Sequence, residues 1–228
     1  MIIEPIAHVE NDYKEKFGIP RQSGMVKAVV SKIVFEPEYR DVNAIRGIEG
    51  YSHLWLIWQF SKNADAGWTP TVRPPRLGGN TRMGVFATRS PFRPNSLGLS
   101  CVELTRVELT EEGPALYVKG ADLLNGTPIF DIKPYVPYAD SYPEARSGFA
   151  GDVLGHHMEI EASEDILNRI PEEKREAVLE ILSLDPRPGY QGDPERIYGM
   201  DYGEWNIRFC ARDGKIIVLD AKDLNEGK

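Results

Sequence analysis

Before residue 138 the chain carries six runs of strand-type sequence with almost nothing helical between them. They cover residues 2–9, 25–35, 53–60, 96–109, 115–124 and 129–135, each rich in β-branched, Leu or aromatic residues. A parallel βαβ sheet needs a crossover of about a dozen residues, usually a helix, between successive strands. The most helical gap, Glu38 to Arg46, allows one or two turns before Gly47 stops it. A curled antiparallel or mixed sheet is the fold this leaves. The run at 96–109 supports it: its apolar phase moves from Val102 and Leu104 to Val107 and Leu109, predicting a bulge near Thr105-Arg106 that bends the sheet toward a barrel. The stretch from His53 to Phe60 is apolar throughout and reads as a central strand buried on both faces.

Beyond Tyr138 the texture changes to small, polar, turn-forming residues, which places a domain boundary near residue 145. The second part, 146–228, predicts a small α+β unit. Pro171 to Leu184 has the start signals of a helix, with Glu172 and Glu173 in the first turn and Val178, Ile181 and Leu182 on one face. Trp205 to Arg212 alternates, and Asp213-Gly214 turns it into Lys215 to Leu219 as a hairpin.

Charge is distributed unevenly. The chain has a formal charge of -8, yet from Ala66 to Val102 there are five arginines (Arg73, Arg76, Arg82, Arg89, Arg93) and no Asp or Glu. Residues 1–149 balance 17 basic against 17 acidic residues, so the whole deficit lies in the C-terminal third. A nucleic acid would therefore dock on a local basic face. Arg-Pro and Pro-Pro steps hold several of these arginines on stiff extended backbone, where guanidinium forks suit phosphate. Met83 to Ala87, within the same stretch, is apolar enough for a short buried strand.

Several function classes have no support. There is no Gly-x-Gly-x-x-Gly, no P-loop and no nucleophile elbow, and the four histidines show no zinc spacing with cysteine, so no metal is expected. Cys101 and Cys210 lie in separate predicted strands and read as buried thiols of a cytoplasmic protein. No apolar run approaches the ~20 residues of a membrane span, and no signal peptide is visible.

Three motifs carry a resemblance: Tyr13 to Gln22, Arg82 to Ser100 and Asp122 to Tyr135. Together they closely resemble the TsaA-like (TrmO) family of tRNA methyltransferases, which act on N6 of threonylcarbamoyladenosine at position 37. The resemblance covers residues 1 to about 145, and more weakly Asp185-Pro-Arg-Pro and the final hairpin. It implies a mainly β protein whose N-terminal domain is a single-sheeted β-barrel that binds S-adenosylmethionine, works as a homodimer and modifies tRNA, with tRNA-Thr as the expected substrate. Carried over by motif, the cofactor residues are Pro20, Arg21, Gln22, Ser61, Lys62, Arg89, Leu99, Asp122, Leu123, Leu124 and Asn125. Two positions depart from the family: Ser61-Lys62 stands where many members have His-Gln, and Ser96 where proline is common. Asp131 is the expected proton acceptor, with a structural ion pair to Lys133 as the competing reading. Arg73, Arg76, Arg82 and Arg93 are expected to face RNA, with Phe86, Phe92 or Tyr135 available to stack on bases. A non-catalytic module binding adenosyl ligand or tRNA on the same barrel is the alternative, and methyl transfer separates the two.

Overall fold

In the computed structural model the described residues are 2–77, 79–153, 157–188 and 193–226; Gly78, His156 and the side chains of Arg76, Asp152 and Val153 lie outside them. The strands in chain order are β1 (Ala7–Glu10), β2 (Val30–Phe35), β3 (His53–Gln59), β4 (Thr71–Val72), β5 (Met83–Gly84), β6 (Leu97–Thr110), β7 (Gly113–Lys119) and β8 (Pro128–Pro134). They continue with β9 (Glu159–Glu161), β10 (Tyr198–Tyr202), β11 (Trp205–Arg212) and β12 (Lys215–Asp223). The helices are α1 (Pro137–Asp140), α2 (Glu164–Leu167) and α3 (Glu172–Ser183).

Six strands close into an antiparallel barrel in the order β1-β2-β7-β6-β3-β8, which leaves no free sheet edge. The long β6 makes closure possible. It pairs with β3 through residues 97–103 and with β7 through 103–110, and the register slips between Leu104 and Arg106, where the apolar phase predicted it. Inside the barrel lie Ile33, Leu54, Leu56, Trp58, Val102, Leu116, Val118 and Ile129.

β3 corrects one expectation. Its burial alternates, with Leu54, Leu56 and Trp58 inside and His53, Trp55, Ile57 and Gln59 outside. The continuous apolar run is thus a one-sided strand whose outer face happens to be apolar. Ile57 faces Leu99, and Trp55 faces Cys101, so an apolar strip runs along the outside of β3 and β6. Met83 to Ala87 is corrected as well. β5 pairs only with β4 in a two-stranded ribbon, Val85 alone is buried, and Phe86 is 73% exposed.

The second unit is a four-stranded sheet, β10-β11-β12-β9, packed against α3. Helix α3 begins one residue later than its sequence suggested, with Pro171 as cap. It buries Ala177, Val178, Ile181 and Leu182, and each of the larger three stabilises the fold by about 1.5–3 kcal/mol. Asp213 and Gly214 both have positive φ, as a two-residue hairpin with right-handed strands requires. Tyr13, Val26 and Val29 belong to this second core although they come from the connection between β1 and β2.

Candidate active site

The centre of the site is a carboxylate at the barrel rim. Asp122 follows β7, and its Oδ1 accepts a 2.5 Å hydrogen bond from Ser100 Oγ. Ser100 itself accepts from Trp58 Nε1 at 2.9 Å inside the barrel, so a polar chain runs from the core to the rim. Trp58 needs a glycine opposite it. It pairs with Gly98, where a Cβ would lie 2.3 Å from the indole ring. Burial pushes the Asp122 carboxyl above the usual carboxylate range, against the opposing pull of Ser100, the Ser23 backbone N–H and the Arg89 charge.

Two of the three motifs meet over this carboxylate. Arg89 donates through its guanidinium to the Gln22 side-chain oxygen, joining groups 67 residues apart in sequence. Ser23 Oγ accepts from the Cys101 backbone N–H at 3.2 Å, which fixes the Pro20–Gln22 loop to β6. Asn125 receives the Asn11 N–H at 2.9 Å and Asn11 Nδ2 donates to the Leu123 carbonyl at 2.9 Å, tying the third motif to the same loop. Pro20 and Arg21 line a cleft of about 220 Å³ that runs toward Ile181, Leu184 and Pro186 of the second unit.

The remaining expected residues spread around this centre. Ser61 and Lys62 sit exposed in a short 3-10 turn after β3, held near the loop by a 2.7 Å bond from Lys16 Nζ to Asn63 Oδ1. The Leu123 side chain is buried in the barrel core, which leaves only its backbone to face a ligand. Leu124 is half-buried, and its carbonyl accepts from the Thr127 hydroxyl. Leu99 is exposed on the outer face, across Ile57 from Asp131. Asp131 makes a 2.9 Å ion pair with Lys133, two residues along the same face of β8. At Ser96 the backbone has φ 39°, which proline cannot adopt.

The acid-free stretch projects as a flap built on the β4–β5 ribbon. Arg73 and Arg82 are exposed on it and form no ion pair with a described residue. Arg93 differs: its guanidinium donates to the carbonyls of Val85 (3.1 Å) and Thr88 (2.7 Å), so it holds the flap together. Trp68, Phe86 and Phe92 are exposed, a combination with arginine that suits stacking on unpaired bases. In the second unit Arg187 is held by Asp185 at 2.7 Å and Arg212 by Glu195 at 3.0 Å.

The sequence did not point to Ser23, Ser100 or Trp58. Ser100 is the last residue of one recognised motif and Ser23 adjoins another, but only the closed barrel brings them to Asp122. Among the described residues no cluster of His, Cys, Asp or Glu could hold a metal ion, and no helix is long and apolar enough to cross a membrane.

With this geometry in place the comparisons are specific. The family model described as tRNA-methyltransferase O N-terminal domain matches residues 8–141, and that of the TrmO C-terminal domain matches residues 156–224. A tRNA (adenine(37)-N6)-methyltransferase of Escherichia coli is 41% identical over 224 residues, covering 95% of both chains. A putative S-adenosylmethionine-dependent methyltransferase of Pseudomonas aeruginosa is 39% identical over 227 residues, 96% of both. The crystal structure of TrmO from Pseudomonas aeruginosa superposes with a TM-score of 0.77 at 32% identity, covering 97% of this chain and 98% of that one.

Proposed function

The chain belongs to the tRNA-methyltransferase O family, and on that footing we propose that it is an S-adenosylmethionine-dependent enzyme methylating N6 of adenine 37 in tRNA. The observation that carries the reading is the convergence of Gln22, Arg89 and Asp122 beside a flap that exposes Arg73 and Arg82. The substrate is threonylcarbamoyladenosine, with tRNA-Thr as the preferred tRNA, acting in the cytoplasm.

The donor set suits the cofactor. A carboxylate at Asp122 can accept from ribose hydroxyls, and the Arg89 guanidinium can pair with the methionine carboxylate. Pro20, Arg21, Ser61, Lys62, Leu99 and the backbone of 123–125 complete the pocket. S-adenosylmethionine, when bound, supplies an electrophilic methyl group. The protein's task is then alignment of N6 and removal of its proton, for which Asp131 is the proposed acceptor. The apolar strip of Trp55, Ile57 and Leu99 is the surface a second copy would cover in a homodimer, bringing the partner close to Leu99.

Radiolabelled methyl transfer to tRNA from a strain lacking the enzyme tests the reading. Incorporation supports it, whereas donor binding without transfer supports a non-catalytic module. Two narrower results are expected. Arg89→Ala weakens donor binding by about tenfold in calorimetry with little change in melting temperature, because the side chain is exposed. Arg73→Ala and Arg82→Ala each lower tRNA affinity and reduce the salt slope by about 1, leaving donor affinity alone. Equal loss of both affinities would mean that pocket and RNA face are not separate.

A further inference from the structure

Residues 11–29, between β1 and β2, are gripped from two sides. On the barrel side Gly24 N–H donates to the Gly120 carbonyl at 2.8 Å, and Gln22 and Ser23 reach Arg89 and Asp122 as described. The other grip comes from the C-terminal domain. Lys174 Nζ pairs with Asp12 Oδ2 at 2.8 Å, and the Gly203 N–H donates to the Asp12 carbonyl at 2.8 Å. Farther along α3, Glu180 Oε2 accepts the N–H groups of both Lys27 (2.7 Å) and Ala28 (2.9 Å). One carboxylate oxygen holding two successive amides fixes the peptide plane between them. The side chains agree: Phe17 packs against the stacked pair Tyr198 and Phe209, and at Gly18 a Cβ would lie 2.7 Å from Met200 Sδ. Helix α3 therefore holds the segment near both its ends, and between them lies Pro20–Ser23, whose Gln22 and Ser23 reach Arg89 and Asp122.

We infer that the C-terminal domain sets the position of the cofactor loop, with Glu180 and Lys174 as positioning residues acting through the backbone of residues 11–29. The inference rests on the cofactor assignment proposed above. A released loop visits its binding-competent shape less often, and donor affinity falls by that fraction. Chemistry after binding is unaffected, so the effect falls on KM and not on kcat.

Glu180→Ala is expected to weaken calorimetric binding of S-adenosylhomocysteine by about tenfold and to raise KM for the donor equally, with kcat at saturation within about twofold of the parent. In the ligand-free protein, hydrogen exchange of the amides from 21 to 28 should accelerate. Glu180→Gln keeps an oxygen acceptor and should recover most of the affinity. If Glu180→Ala does not fold, Lys174→Gln, at the other end of the segment, carries the test with a loss of about threefold. The inference is overturned if Glu180→Ala, or Lys174→Gln in its place, binds as tightly as the parent. A fall in kcat at unchanged KM, or a Glu180→Gln no better than alanine, also overturns it. A parent protein that does not bind S-adenosylhomocysteine brings down the cofactor assignment itself, which distinguishes the two failures.

Discussion

Asp122→Asn is expected to leave the fold as stable as the parent or more so, while reducing S-adenosylmethionine affinity by about tenfold to a hundredfold. The folded-state pKa of Asp122 is raised above its ordinary 3.8, so the native state holds the proton more tightly than the unfolded chain. Stability from this group is present at low pH and is lost as pH rises through that window, because the ionised carboxylate is desolvated. At neutral pH the charge is thus a cost to the fold, and an amide removes it while still accepting from Ser100. Ligand affinity moves the opposite way, since a neutral amide no longer gives charge-assisted acceptance. Denaturant midpoints and calorimetry of the same variant read both halves. A variant that loses stability and keeps its affinity would make Asp122 structural.

Gly98→Ala carries the second large effect. A methyl at 98 would lie 2.3 Å from the Trp58 indole, and that ring has nowhere to go: it is buried, bonded to Ser100 and packed 4.3 Å from the Phe60 ring centroid. Overpacking at so confined a place is expected to cost about 3 kcal/mol, lowering Tm by about 6–12 °C. Because Trp58 orders Ser100, and Ser100 orders Asp122, donor affinity should fall as well. An alanine variant with a parental Tm would show that β3 and β6 can separate without loss.

How far these features could be read in advance depended on how local their causes are. The bulge near Thr105 and the Asp213-Gly214 hairpin were legible because phase and turn chemistry are written in a few adjacent residues. The strands β9 and β10 were not, since Glu159-Ile-Glu161 is short and Tyr198-Gly-Met-Asp-Tyr202 carries a glycine. Burial of β3 was misjudged because Trp55 and Ile57 are apolar on the outside, a choice that barrel physics alone does not require. In the site, motif residues such as Gln22, Arg89 and Asp122 were legible through resemblance. Ser23 and Ser100 were not, for their partners lie 78 and 22 residues away and meet only after the barrel closes, and Glu180 meets Lys27 and Ala28, 152–153 residues away, only when α3 packs on the β1–β2 connection. The arginine stretch showed its sign in sequence, but not that Arg93 is bound to backbone carbonyls while Arg73 and Arg82 stay exposed.

The most direct test of the central claim is a crystal structure of the protein with S-adenosylhomocysteine. The adenosyl group is predicted at the rim between the Pro20–Ser23 loop, Arg89 and Asp122, with the flap bearing Arg73 and Arg82 open to solvent beside it. Density for the ligand at any other surface, with this rim empty, would contradict the account.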